Sequence, residues 1–174
     1  FEQAAVYRKK ALEIRKTIYG LNHGATAASY ENLGRDLVDA KKFEKGIELI
    51  RKGLKIKNTT LSPKNFYVIQ GYKYLGHAFW EWGKLDSALI YLQESIIRTT
   101  ADFTNSSVQA NPNLEKTTIY DKPRLLESLN YKAQIFYQKY QQTKNPADLE
   151  TSLQTYELAI ELIDQLREEY ERSN

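Results

Sequence analysis

The stretch from Tyr72 to Arg98, YKYLGHAFWEWGKLDSALIYLQESIIR, decides how this chain folds, because its order of large and small residues returns along the sequence at one spacing. Leu75-Gly76 follow Leu33-Gly34 by 42 positions, and Leu85, Ala88 and Ile96 stand the same 42 after Phe43, Gly46 and Leu54. One step back from Phe43, Ile47, Leu54 and Ile56 lie Phe1, Ala5, Leu12 and Ile14. Self-similarity at such a period predicts stacked supersecondary units, none of which can bury its apolar face alone. Function is then carried by a surface.

Within the unit, Tyr72, Leu75, Gly76 and Phe79 fall at i, i+3, i+4 and i+7, one stripe of a helix; Leu85, Ala88, Leu89, Leu92, Ser95 and Ile96 form a second stripe. Gly83-Lys84 separates them as a tight turn. Gly76, Ala88 and Ser95 are small where two helices must approach closely, while Tyr72, Phe79 and Leu92 fill the space beside them. The unit reads as a helical hairpin.

Here the sequence resembles the tetratricopeptide repeat. Y-x2-L-G-x2-F followed by A-x3-L-x2-S is similar to that family's W-x2-L-G-x2-Y and its later small and aromatic positions. The 42-residue period resembles the longer variant of kinesin light chains and many bacterial proteins. Ala11 to Gly34, ALEIRKTIYGLNHGATAASYENLG, is similar to that variant's ALEIR, G-x2-H-P and N-L-G signature, with Gly24 in the proline's place. The resemblance implies an all-α, right-handed superhelical solenoid of antiparallel helical hairpins, about seven helices in all.

Taken in order, residues 1–20 read as a half repeat supplying a second helix only, 26–58 and 63–99 as full repeats, 100–121 as a long loop and 122–172 as an enlarged C-terminal hairpin. Gly20 is expected to cap the first helix in the left-handed region, and His23, one period before Asn65, to tie backbone groups in the link. Gly46 and Gly53 fall at small-residue positions, where either close helix contact or sequence drift accounts for them. Ser62 and Pro63 predict an N-cap and first turn, as do Asp121 and Pro123 further on. The loop, rich in Thr, Asn and Ser, is expected to be partly disordered or to pack back through Phe103, Val108, Leu114, Ile119 and Tyr120. In the next helix Leu126, Leu129, Ala133, Phe136 and Tyr140 share one face. In the last, Leu149, Ser152, Leu153, Tyr156, Ala159, Ile160, Ile163 and Leu166 are expected to face the core.

Composition narrows the function classes. With 174 residues, 41% hydrophobic and 27% charged, the chain can bury a continuous core. It has no cysteine, which excludes disulfides, thiolate zinc sites and thiol catalysis within these residues. No apolar run approaches the roughly 20 residues of a membrane span, so no membrane partner is expected; the compartment stays open. Residues 1–87 carry 16 Lys and Arg against 9 Asp and Glu, and residues 88–174 carry 9 against 13. Lys41, Lys42 and Lys45 alternate with Asp39 and Glu44, as solvated helix faces do, and no nucleic-acid partner is expected. The opening in mid-pattern predicts a fragment of a larger protein whose Phe1 to Leu12 exposes apolar surface suited to end-to-end self-association.

Side chains beside the core stripes are expected to line a concave groove that takes a protein or peptide. In one unit these are Glu31, Asn32, Arg35, Val38 and Asp39; in the next, Lys73, Tyr74, His77, Trp80 and Glu81; in the last, Asn130, Tyr131, Gln134, Tyr137 and Gln138. The resemblance places Asn32, in N-L-G, where related repeats hold a peptide backbone. Trp80 and Tyr137 offer rigid contact area, while Trp82, near the turn, is expected to pack against a neighbouring hairpin. Glu31, Asp39 and Glu81 argue against capture of a terminal carboxylate by Asn32, Arg35 and Lys73. His77 and Glu81 share a helix face but lack a third ligand, so no metal or other cofactor is expected. Glu157, Glu161, Asp164 and Glu168 follow the outward side of an amphipathic helix and pair with Arg167 and Arg172, so no catalytic group is assigned.

Asn111 to Tyr170 also looks like the segment closing the tetratricopeptide array in bacterial proteins with a C-terminal CHAT domain, a caspase-like peptidase module. That resemblance implies a regulatory role toward a peptidase lying beyond Asn174.

Overall fold

The computed structural model describes residues Glu2–Ser173, so Phe1 lies outside the described residues. Seven α-helices run along them: α1 (Glu2–Tyr19), α2 (Gly24–Asp39), α3 (Phe43–Thr60), α4 (Phe66–Glu81), α5 (Leu85–Thr99), α6 (Lys122–Thr143) and α7 (Pro146–Ser173). The described residues contain no strand, only one isolated antiparallel bridge between Thr100 and Ile119. Two compact units divide within α5, after Ala88.

In the first unit the 42-residue period is visible in the backbone. His23 Nδ1 accepts the Ala25 N–H at 3.1 Å at the start of α2, and Asn65 Oδ1 accepts the Tyr67 N–H at 2.9 Å at the start of α4. Each side chain satisfies a donor that the first helical turn leaves without a partner. Asn65, not Ser62, is therefore the cap, and α4 opens at Phe66 rather than at Pro63. The helix ends match as well. Lys41 N–H donates to Val38 O and Lys42 N–H to Leu37 O; one period later Gly83 donates to Trp80 O and Lys84 to Phe79 O. Both are Schellman-type closures around a left-handed residue, with φ 59° at Lys41 and 76° at Gly83. Gly20, at φ 84°, ends α1 in the same region.

The core of this unit is built by Leu12, Ala27, Leu33, Ile47, Ile50, Leu54, Val68, Ile69 and Leu75, all buried. Leu12 thus belongs to the interior and not to an exposed N-terminal patch. α1 packs on α2 and presents Leu12 inward, leaving Val6 and Tyr7 outside. Trp82 joins an aromatic cluster, its ring 6.0 Å from Phe43 and 6.3 Å from Phe79.

In the second unit Ile96, Leu114, Leu125, Leu129, Ala159 and Leu162 form a buried cluster, with Phe103, Ile119, Leu126 and Leu158 packed on it. The segment between α5 and α6 is therefore ordered against the core through Leu114, Phe103 and Ile119, while Tyr120 points outward. Its ends are clipped together by Ala101 N–H to Thr118 O and Tyr120 N–H to Thr99 O, both 2.8 Å. Asp121 caps α6 by accepting the Arg124 N–H at 3.1 Å, with Pro123 in the first turn.

α7 faces its neighbours differently from the expected stripe. It buries Asp148, Thr151, Ser152, Thr155, Ala159 and Leu162, and leaves Leu153, Ile160 and Ile163 55%, 58% and 48% exposed. The small hydroxyl residues let the helices close up, and their hydroxyls are satisfied locally. Thr151 donates to Ala147 O and Thr155 to Thr151 O, while Ser152 donates across to Ala133 O on α6 at 2.8 Å.

Candidate ligand-binding face

α2 and α4 are the first helices of successive hairpins, and they touch. Their shared outer surface holds most of the expected groove residues of the first unit. The Arg35 guanidinium lies over the Tyr74 ring, 4.3 Å from its centroid, and its Nη1 donates to the Tyr74 hydroxyl at 3.2 Å. A planar cation on an aromatic face restricts both side chains. Further along, Lys41 pairs with Glu81 at 2.8 Å, and that bond holds the Glu81 carboxyl below its usual pKa. His77 meets Trp80 edge to face at 6.1 Å. Burial lowers the His77 pKa, against the opposing pull of Glu81 and Asp39. Asn32, Lys73, Tyr74 and Trp80 are half-buried, and Arg35 and Asp39 are exposed.

Glu31 does not belong to this face. It is 3% exposed and ion-paired with Lys57 of α3, which also donates to Tyr67 O at 3.0 Å. The hollow that receives its side chain is bounded by two residues without Cβ. A Cβ on Gly53 would lie 2.7 Å from Glu31 Cγ, and one on Gly71 3.0 Å from Glu31 Oε1. Burial raises the Glu31 pKa, with Lys57 opposing it. Val38 is likewise buried.

In the second unit, Asn130, Tyr131, Gln134 and Tyr137 follow one another at i, i+1, i+4 and i+7 along α6. Asn130 and Tyr137 are exposed, Tyr131, Gln134 and Gln138 half-buried, and the Tyr137 ring stands 6.5 Å from Tyr140. Between the members of this row, at Lys132, the helix turns a lysine inward, a feature absent from the expected core face. Lys132 is fully buried, and Nζ donates to Gln93 Oε1 at 2.8 Å, Ala110 O at 2.7 Å and Asn111 Oδ1 at 2.8 Å. Gln93 Nε2 in turn donates to Asn105 O and Ala110 O, and Asn111 Nδ2 to the Thr155 hydroxyl. All three acceptors of Lys132 are uncharged, and burial brings its pKa down to about 7. The signal for this lysine was its place on the helical period between Leu125, Leu129 and Phe136.

A groove beside α3, of about 410 Å³, is lined by Arg51, Phe79 and Trp82 among others, with the Arg51 guanidinium 5.4 Å from the centre of the Phe79 ring. It lies apart from the expected residues. No group of three or more metal-ligating side chains occurs among the described residues, and no helix there is long and apolar enough to cross a membrane.

No family model matches the sequence, and no curated protein does. Solved structures do. BtubC (BKLC) from P. vanneervenii superposes with a TM-score of 0.72 at 14% identity, over 95% of this chain and 57% of that one. The chain thus spans little more than half the length of BtubC. A putative kinesin light chain of Podosopora anserina with nearly identical TPR-like repeats superposes at 0.55 and 16% identity, over 99% and 88% of the two chains. A singly substituted form of that protein gives the same score and identity over 95% and 84%. At these identities the likeness is one of backbone architecture: the helices of this chain build a TPR-like repeat fold.

Proposed function

We propose that this chain is a non-catalytic scaffold that binds a protein or an extended peptide on the α2–α4 face of its first unit. The observation that carries the reading is the Arg35–Tyr74 stack, a rigid donor-and-aromatic platform beside Asn32, Lys73, His77 and Trp80. Asn32 serves a peptide backbone because its amide both donates and accepts. Tyr74 and Trp80 supply stiff apolar area at low entropic cost. Asp39 and Glu81 set the charge preference. The α6 row of Asn130, Tyr131, Gln134 and Tyr137 offers a second contact strip in the other unit.

Selection of random peptides displayed on phage against residues 1–174 tests this. Selected peptides should bind the Tyr74→Ala, Trp80→Ala variant at least about tenfold more weakly, and a Lys116→Ala control unchanged. Equal binding to native and double variant would remove the face from consideration.

The resemblance of residues 111–170 to the segment preceding CHAT domains supports a second reading, a regulatory domain for a peptidase on the same chain. A His and Cys pair encoded downstream of Asn174 would support that role, and its absence would end it.

A further inference from the structure

Two apolar rows stand exposed, one on α1 and one on α7. On α7, Leu149, Leu153, Tyr156, Ile160 and Ile163 recur at alternating steps of four and three, the spacing of a seam between two helices. α7 packs its Ser and Thr residues inward, so Leu153, Ile160 and Ile163 of this row remain exposed. Glu150, Glu157 and Asp164 each follow a seam position, and the helix carries eight acidic residues against two basic. On α1, Tyr7, Ala11, Ile14 and Ile18 repeat the same steps, and Val6, Tyr7, Ile14 and Ile18 are each more than half exposed. This helix has five basic residues against two acidic. Arg8 and Arg15 turn back to Asp36 and Ser29 within the first unit, whereas Lys9 and Lys10 border an open groove with Val6, Ile14 and Glu13, the last paired with Lys16 at 2.9 Å.

We propose that α7 of one copy docks its apolar row on α1 of a second copy, so that chains associate head to tail. Charge decides the occupant. Two α7 rows face to face would oppose Glu150 and Glu157 to their own kind, and two α1 rows would oppose Lys9 and Lys10 to theirs. Pairing α7 with α1 sets an acidic border against a basic one. Such an interface joins two different patches, so a chain that has lost one of them can still pair through the other.

Sedimentation velocity over a wide concentration range tests this with three samples. For the native chain the average mass should rise above that of the monomer as concentration increases and fall at high salt, where exposed charges are screened. Ile14→Glu and Ile160→Glu, each with native helix content by circular dichroism, should both be monomeric. Mixed together they should form one discrete dimer and nothing larger, because one variant keeps an intact α7 and the other an intact α1. Serine at either position repeats the test should glutamate perturb folding. A native chain that stays monomeric overturns the proposal, as does an Ile14→Glu or Ile160→Glu chain that associates like the native one, or a mixture that stays monomeric.

Discussion

Gly34 of α2 and Gly46 of α3 pack backbone against backbone, so that a Cβ on either would lie 2.6 to 2.7 Å from the carbonyl oxygen of the other. Neither position can relieve the clash by rotating a side chain. Overpacking of this kind costs about 1–3 kcal/mol, and the helix propensity regained by alanine offsets about 1 kcal/mol of it. Gly34→Ala should therefore lower the unfolding free energy by up to about 2 kcal/mol in urea titration followed by circular dichroism. Gly24→Ala is the matched control, since nothing lies within 4 Å of its added Cβ. That change should be neutral or stabilise by up to about 1 kcal/mol.

The buried Glu31–Lys57 pair should behave asymmetrically under mutation. Lys57→Met leaves a carboxylate in the interior with no cation beside it, which costs about 3–5 kcal/mol. Replacing both residues by Met removes the two desolvated charges together, and the double variant should return to within about 1 kcal/mol of native or exceed it. A double variant as unstable as Lys57→Met would show instead that the pair is a net source of stability.

Lys132 should make the stability of the second unit rise with pH. Its folded pKa, near 7, lies below the unfolded value of 10.5. Between those values the unfolded chain holds the proton and the folded chain does not, so raising the pH favours folding. The slope is about 1.4 kcal/mol per pH unit. Urea unfolding of native and Lys132→Met chains from pH 7 to 10 measures it. The native slope should exceed that of the variant in this window, and identical slopes would place the Lys132 pKa at its ordinary value.

Gly83 and Lys41 occupy the same left-handed position one period apart, at φ 76° and 59°. No atom approaches a Cβ at Gly83, so Gly83→Ala isolates the backbone term. It should cost about 1 kcal/mol, and Lys41→Gly should gain a similar amount less the weak Lys41–Glu81 pair. Thermal unfolding of the two variants in parallel reads the opposite signs.

The 42-residue spacing was legible because it is written in pairs that share a role. His23 and Asn65 cap α2 and α4, Lys41 and Gly83 close them, and Leu12, Leu54 and Ile96 are all buried. Capping and turn chemistry act over a few residues, and core leucines recur wherever a helix keeps one face inward. On the candidate face, Arg35, Tyr74, Lys73 and Trp80 could be placed together because α2 and α4 hold equivalent positions in successive hairpins. The Arg35–Tyr74 stack itself lies 39 residues apart in the chain and emerges only from their packing.

Glu31, Lys132 and α7 show where periodicity stops. On a helical wheel Glu31 borders the core stripe, and its burial depends on Lys57 and on the hollow left by Gly53 and Gly71, residues from two other helices. Lys132 is tolerated inside because Gln93, Ala110 and Asn111 arrive from α5 and the following loop to accept its protons. α7 has an apolar row and a hydroxyl row, and hydropathy alone assigns the wrong one to the core. The choice falls to close contact with Ala133 and to hydroxyls that bond within their own helix. Helix identity, caps and repeat length are local properties that the residue order dictates. Which polar groups are buried, and which leucines and isoleucines stay in water, follows from partners that the chain brings together across tens of residues.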